Sequence, residues 1–231
     1  MLIYFHRVRQ FHRFLAGQAL YPMLLSSGLA VGLFAGRVYL GHTLTYIFLV
    51  WNLFLAWMPY LSSLWAAHRH RRHPRRWWSL LIPGALWLIF FPNAPYILTD
   101  FLHLRARGPI PIWYDIGMLA TFAWTGLFLA VFSLRTMQTL VKSFAGSLVS
   151  WLFALTSLGL AGLGIYMGRF LRWNSWDLLF QPRSVLADLA MRLTNPWDHP
   201  GTFGVTLLFA AFLSICYLTF TAIPVREHLS E

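Results

Sequence analysis

Acid is what this sequence has least of. Its 231 residues include only seven Asp and Glu against 18 Lys and Arg, and charged types together make up 11%. A soluble domain carries about 25% charge, so a chain this poor in it, with 58% apolar residues and a mean hydropathy of +0.58, is no ordinary soluble domain. Cysteine is nearly missing too. Cys216 stands alone inside an apolar run, so no disulfide forms within the chain, and it reads as a small packing residue rather than a reactive thiol. There is no P-loop, no H-E-x-x-H, no G-x-S-x-G and no Cys/His zinc spacing, so neither cofactor nor metal is expected. No chain of acids crosses the apolar runs and no inverted repeat is evident, which counts against a proton pump or a standard secondary transporter. No cleavable signal peptide is expected, because the first apolar run is long enough to span and lacks a small-x-small site.

What is present is apolar length. Six runs of roughly 20 residues cover 15–36, 43–67, 77–99, 116–134, 143–167 and 202–223. The expected fold is an all-α polytopic membrane protein of about six transmembrane helices. It is read as a single transmembrane domain, 15–223, between a basic amphipathic segment, 1–14, and a tail, 224–231. The segment 2–14 (LIYFHRVRQFHRF) alternates rings with cations, as an interfacial helix or a basic tail does.

Charge orients the chain. Placing the N-terminus inside puts Arg7, Arg9, Arg13, Arg69, Arg71, Arg72, Arg75, Arg76, Arg135, Lys142 and Arg226 on one side, which is 11. Arg37, Arg105, Arg107, Arg169, Arg172, Arg183 and Arg192 fall on the other, which is 7. The excess on short inner loops predicts both termini in the cytoplasm. Five of the seven acids (Asp100, Asp115, Asp177, Asp188 and Asp198) fall outside, so mixed-sign chemistry is expected there. The inner run HRHRRHPRR, 68–76, has three histidines, but its five arginines repel a cation. It suits anionic lipid headgroups, with Trp77 and Trp78 at the interface, rather than a metal or nucleic acid.

The third run is predicted to break. In Phe90-Phe91-Pro92-Asn93-Ala94-Pro95-Tyr96, each proline removes an amide donor, takes its predecessor away from helical angles and crowds a carbonyl one turn back. Freed carbonyls need donors, and Asn93, Tyr96 and Thr99 are at hand. A simple kink with Asn93 bonded to its own backbone competes with a polar site there. In the second run, Asn52 either fixes packing through an interhelical hydrogen bond or lines the same cavity as Asn93. Gly28, Gly32 and Gly36, and later Gly164 and Gly168, read as helix-packing ridges. A homodimer seam is the rival, so an oligomer stays open.

Outside, Asp100 and His103 stand three apart, as a solvated ion pair or as an imidazole with its orienting carboxylate. Trp113-Tyr114-Asp115 begins the fourth run. GRFLRWNSWD, 168–177, forms an amphipathic stretch in which Arg169 and Arg172 could seat an anion or pair with Asp100 and Asp115. Asn174 and Asp177 make a further polar pair, and RSVLADLAMRL, 183–193, is expected to lie on the membrane. The ligand-binding candidates are therefore Asn93, Tyr96, Asp100, His103, Asp115, Arg169, Arg172, Asn174 and Asp177, with His103 and Asp100 the only catalytic ones.

FFPNAPYILTDFLHL, the WYD triplet, GRFLRWNSWD and WNLFLAWMP resemble a bacterial integral-membrane family catalogued as domain of unknown function 1361. The likeness runs from the second span through the loop after the fifth. It implies a bacterial inner-membrane protein and supplies no reaction, substrate or catalytic residue. Three functions stay open. One is an outward-facing cavity that binds or translocates an anionic or lipid-linked ligand. Another is an accessory or structural subunit. The last is an outer-leaflet enzyme on a lipid-linked group, with His103 as base, Asp100 as its orienter and Arg169 and Arg172 as clamp.

Overall fold

A computed structural model describes residues 9, 12, 15–106 and 110–222. The expectations for the segment 1–14 (its Arg9 and His12 apart), for Arg107 and for the tail lie outside the described residues. Every regular element among the described residues is helical. In chain order these are α1 (Leu20–Gly41), α2 (Ile47–Arg72), a 3-10 turn (Trp77–Leu80), α3 (Leu81–Phe90), α4 (Asn93–Tyr96), a 3-10 helix (Ile97–His103), α5 (Ile112–Phe170), α6 (Asp177–Phe180), α7 (Pro182–Thr194) and α8 (Pro200–Ala222). Five stretches are long and apolar enough to cross a membrane: α1, α2, Trp77–His103, α5 and α8. The protein is an all-α polytopic membrane protein.

The fourth and fifth apolar runs share α5. At 1.5 Å per residue its 59 residues would reach roughly 90 Å if straight, three times a hydrocarbon core. It is not straight. Gly146 departs from helical angles at φ 80°, ψ 179°, a conformation open to glycine at little cost. Residues on either side of it share neighbours. The Tyr217 hydroxyl donates to Gln138 Oε1, and its ring lies 6.2 Å from that of Trp151. A Cβ added to Gly126 would stand 2.4 Å from the Ala94 carbonyl oxygen, and one added to Gly164 would stand 2.6 Å from Pro92 Cβ. Two positions 38 residues apart thus abut one short segment, so 112–145 and 147–170 run antiparallel and α5 crosses twice.

The resulting six passes surround a core of large side chains, including Tyr60, Trp87, Phe91, Phe122, Met118, Leu129 and Tyr217. α5 is its centre, in contact with α1, α2, α4 and α8. α1 is tied in by polar contacts, Ser26 with Thr125 at 2.5 Å and the Trp57 indole N–H to Ser27 at 3.1 Å. The glycine ridge of α1 departs from expectation. A Cβ at Gly28 or Gly32 would meet nothing within 4 Å, and only Gly36 is crowded, by the Tyr114 hydroxyl at 2.6 Å. Small residues permit close approach without compelling it. The ridge of 147–170 behaves as expected, since Gly164 receives Pro92 and Gly168 receives the Tyr96 ring.

Candidate functional site

The proline break shapes the site. Phe91, Pro92, Tyr96 and Ile97 all keep right-handed helical angles, so what changes is the hydrogen-bond register rather than the backbone angles. Pro95 has no amide to offer the Phe91 carbonyl, and the Ala94 N–H takes its place at 3.2 Å. That shift deprives the Phe90 carbonyl of its usual donor. The Asn93 side-chain amide covers it at 3.1 Å and also donates to Ser175 Oγ at 2.7 Å, 82 residues along. The backbone-bonded reading of Asn93 holds, and the same amide also ties down the loop after α5.

Beside this break lies a cavity of about 340 Å³. Trp51, Asn52 and Leu55 of α2 form one wall, Leu88, Ile89, Pro92, Asn93 and Tyr96 a second, and 160–168 of α5 a third. The roof is the loop with Trp173, Asn174 and Ser175 together with Leu178 of α6 and Val185, Leu186 and Leu189 of α7. No lining residue is charged. Asn52 and Asn93 therefore share one cavity.

Charge sits one layer behind the lining. Asp100, 1% exposed, accepts from Arg169 Nη2 and, at 2.9 Å, from Asn52 Nδ2. The Arg169 Nε donates to Thr99 Oγ1 at 2.8 Å, and its guanidinium lies 4.6 Å from the centre of the Tyr96 ring. The third pass ends as a 3-10 helix, which puts Tyr96, Thr99 and Asp100 on the side facing 147–170. His103 is exposed. Its Nδ1 stands 3.4 Å from Arg169 Nη1, and its ring packs on Phe48, while the Asp100 carboxylate is held by Arg169 and Asn52. Asp100, His103 and Arg169 thus meet in one cluster next to Tyr96.

Of the other sequence candidates, Asn174 lines the cavity, while Asp115, Arg172 and Asp177 are not among its lining residues. Asp115, 1% exposed, is bound through both oxygens by Arg37, at 2.9 and 3.4 Å, and Arg37 also donates to Thr43 and lies over the Tyr46 ring. This second buried ion pair is away from the cavity lining. Arg172 is exposed, carries φ 62° and makes no ion pair among the described residues. Asp177 caps its own loop, accepting from the Asn174 backbone N–H at 2.7 Å and its side chain at 3.3 Å. Among the described residues no group of three or more His, Cys, Asp or Glu could hold a metal ion.

Sequence reasoning found Asn174 in the roof but passed over the bonds that hold the roof in place. Asp188 accepts from the Trp173 indole at 2.9 Å and from Arg192 Nε at 3.0 Å, and Arg192 reaches the Tyr166 hydroxyl at 3.3 Å. These bonds clip α7 over the cavity. The signal was the apolar spacing Val185, Leu186, Leu189 in a helix read only as membrane-lying. Ser175 carried no such signal, because its role depends on Asn93 being brought to it.

No curated protein and no solved structure matches the chain. The family model described as "Protein of unknown function (DUF1361)" matches residues 51–216, which include every lining residue of the cavity, the three roof contacts of Asp188 and Arg192, and the Asp100–Arg169 pair. By that match the chain belongs to the DUF1361 family.

Proposed function

We propose that this multi-pass membrane protein binds an amphipathic, lipid-linked ligand in the cavity beneath α7, as a binding or translocation protein. The observation that carries the reading is the lining itself. Leu, Ile, Val, Met, Pro and Trp side chains form most of it, and the polar lining groups are uncharged asparagines, Tyr96 and Ser175. Such a site takes an apolar chain and orients it by a few hydrogen bonds. An ionised group inside it would meet no opposite charge, since Arg169 and Asp100 satisfy each other. The anionic alternative is therefore restricted to the exposed Arg172 at the edge.

The reading places the cavity end on the outer face of a bacterial inner membrane, supported by the 11-to-7 distribution of Lys and Arg and by six passes. The opposite end, with Arg69, Arg71, Arg72, Arg75 and Arg76, then meets anionic lipid headgroups, and the exposed Trp77 and Trp78 sit at that interface.

Native mass spectrometry of the protein released from mild detergent tests the binding. A retained amphiphile is expected on the native chain and not on Leu189→Trp, which fills the cavity from the surface helix. A native chain that retains nothing, or equal retention by the filled variant with an unchanged melting profile, overturns the reading.

A further inference from the structure

The cavity's amides reveal which kind of head group it accepts. An asparagine offers one acceptor and two donors, and their placement is ambiguous unless a neighbour fixes it. Here three neighbours do. Asn52 faces the Asp100 carboxylate, Asn93 faces the Phe90 carbonyl, and Asn174 faces the Asp177 carboxylate. Each of those partners only accepts, so each asparagine must present its NH₂ to the protein. The Oδ1 atoms then remain. None takes a hydrogen bond from the described residues, and those of Asn52 and Asn93 are not sealed from solvent. All three residues line the cavity.

We propose that the cavity selects an amphiphile whose uncharged head donates several hydrogen bonds, a sugar or other polyol on an apolar chain. This rests on the amphiphile-binding reading above and narrows it. Three acceptors left open in a cavity with no charged lining favour a head that donates to them, because a ligand that displaces their water without replacing its hydrogen bonds loses affinity. Two hydroxyls complement them. Ser175 accepts from Asn93, which leaves its own O–H to donate, and Tyr96 lines the cavity with no hydrogen bond to its hydroxyl among the described residues. Hydroxyl heads satisfy both kinds of group, since they donate and accept. An ammonium would also donate, but the exposed Arg105, Arg172 and Arg183 at this end have no ion-pair partner among the described residues and repel it. Trp51 and Trp173 also line the cavity, and indole rings offer apolar contact to a sugar ring.

The test uses one chain length and three heads. Octyl glucoside, octyldimethylamine oxide and octylammonium are titrated below their critical micelle concentrations into nanodiscs holding the native chain. Specific binding is the calorimetric difference from nanodiscs holding Leu189→Trp. The glucoside should bind at least about tenfold tighter than the amine oxide, whose head only accepts, and tighter than octylammonium. Asn52→Ala and Asn93→Ala should each erode the glucoside preference and leave amine oxide binding in place. The native head-group series decides the matter even where a variant does not fold. Equal binding of all three heads, or tightest binding of octylammonium, overturns the donor-head inference and leaves amphiphile binding standing. No difference between native and filled protein for any head overturns both.

Discussion

Arg169→Gln isolates what the buried ion pair contributes. The side chains of Arg169 and Asp100 are 12% and 1% exposed, and besides its longer contact with the exposed His103 the guanidinium makes three within the buried cluster: Asp100, Thr99 and the Tyr96 face. Glutamine removes the charge and cannot span all three. Asp100 then keeps only the Asn52 amide, and a buried carboxylate stripped of its cation costs about 3–5 kcal/mol. The position near the end of the bundle favours the lower figure. Neutralising both partners should restore much of the loss. In Asp100→Asn with Arg169→Gln, an amide at 100 still meets Asn52. What stays missing is the Thr99 bond, about 1 kcal/mol, and the cation–ring contact, about 1 kcal/mol. The double variant should therefore sit about 1–2 kcal/mol above Arg169→Gln alone in stability. Unfolding by denaturing detergent in mixed micelles, followed by tryptophan fluorescence, measures all four corners of the cycle. Single-variant costs that add to within about 0.5 kcal/mol would refute the reasoning, because independent sites behave that way.

Asn93→Ala should cost about 1–3 kcal/mol, since it uncovers the Phe90 carbonyl and releases Ser175. A cycle with Ser175→Ala in the same assay should show coupling, and one with Arg172→Gln should be additive. Gly126→Ala should destabilise by about 1–3 kcal/mol, because its Cβ would lie 2.4 Å from a backbone oxygen, whereas Gly28→Ala, with open space beside it, should leave the melting profile unchanged or slightly higher. Asp188→Asn weakens the clip on Trp173 and Arg192, so amides of α7 should exchange hydrogen several-fold faster while those of α2 do not change. A reporter active only outside the membrane, fused after residue 222, should stay silent, and a strong signal there would reverse the proposed orientation.

The passes were legible because hydropathy is a property of consecutive residues, and the prolines marked the break because their chemistry is local. The clustering of acids at one end was legible for the same reason. Which acid meets which cation was not. Arg169 was within reach of Asp100 and Asp115 on sequence grounds, yet Asp115 is taken by Arg37, 78 residues away, because α1 packs along the first half of α5. The ridges of α1 and α5 show the same limit. Both have glycines at four-residue spacing, but Gly164 and Gly168 each receive a neighbouring segment, whereas Gly28 and Gly32 face open space and only Gly36 of the α1 ridge is crowded. Asn52 was ambiguous for a related reason. Its partner, Asp100, reaches it only after the third pass tightens into a 3-10 helix.

The single-residue reversal at Gly146 bears on how the chain is assembled during synthesis. With no connecting loop between 112–145 and 147–170, the two cannot enter the bilayer as separate events spaced by a tether. Under the proposed orientation they are delivered as one helical hairpin, its tip remaining on the side of synthesis. The hairpin already carries Gly126 on one arm and Gly164 on the other, the two surfaces between which Pro92 and Ala94 lodge. The third pass is made earlier, so its seat between these glycines is complete only once the hairpin has formed. A substitution such as Gly146→Val, which disfavours that reversal, should act first on biogenesis, lowering the yield of correctly inserted chain before it changes the behaviour of molecules that have folded.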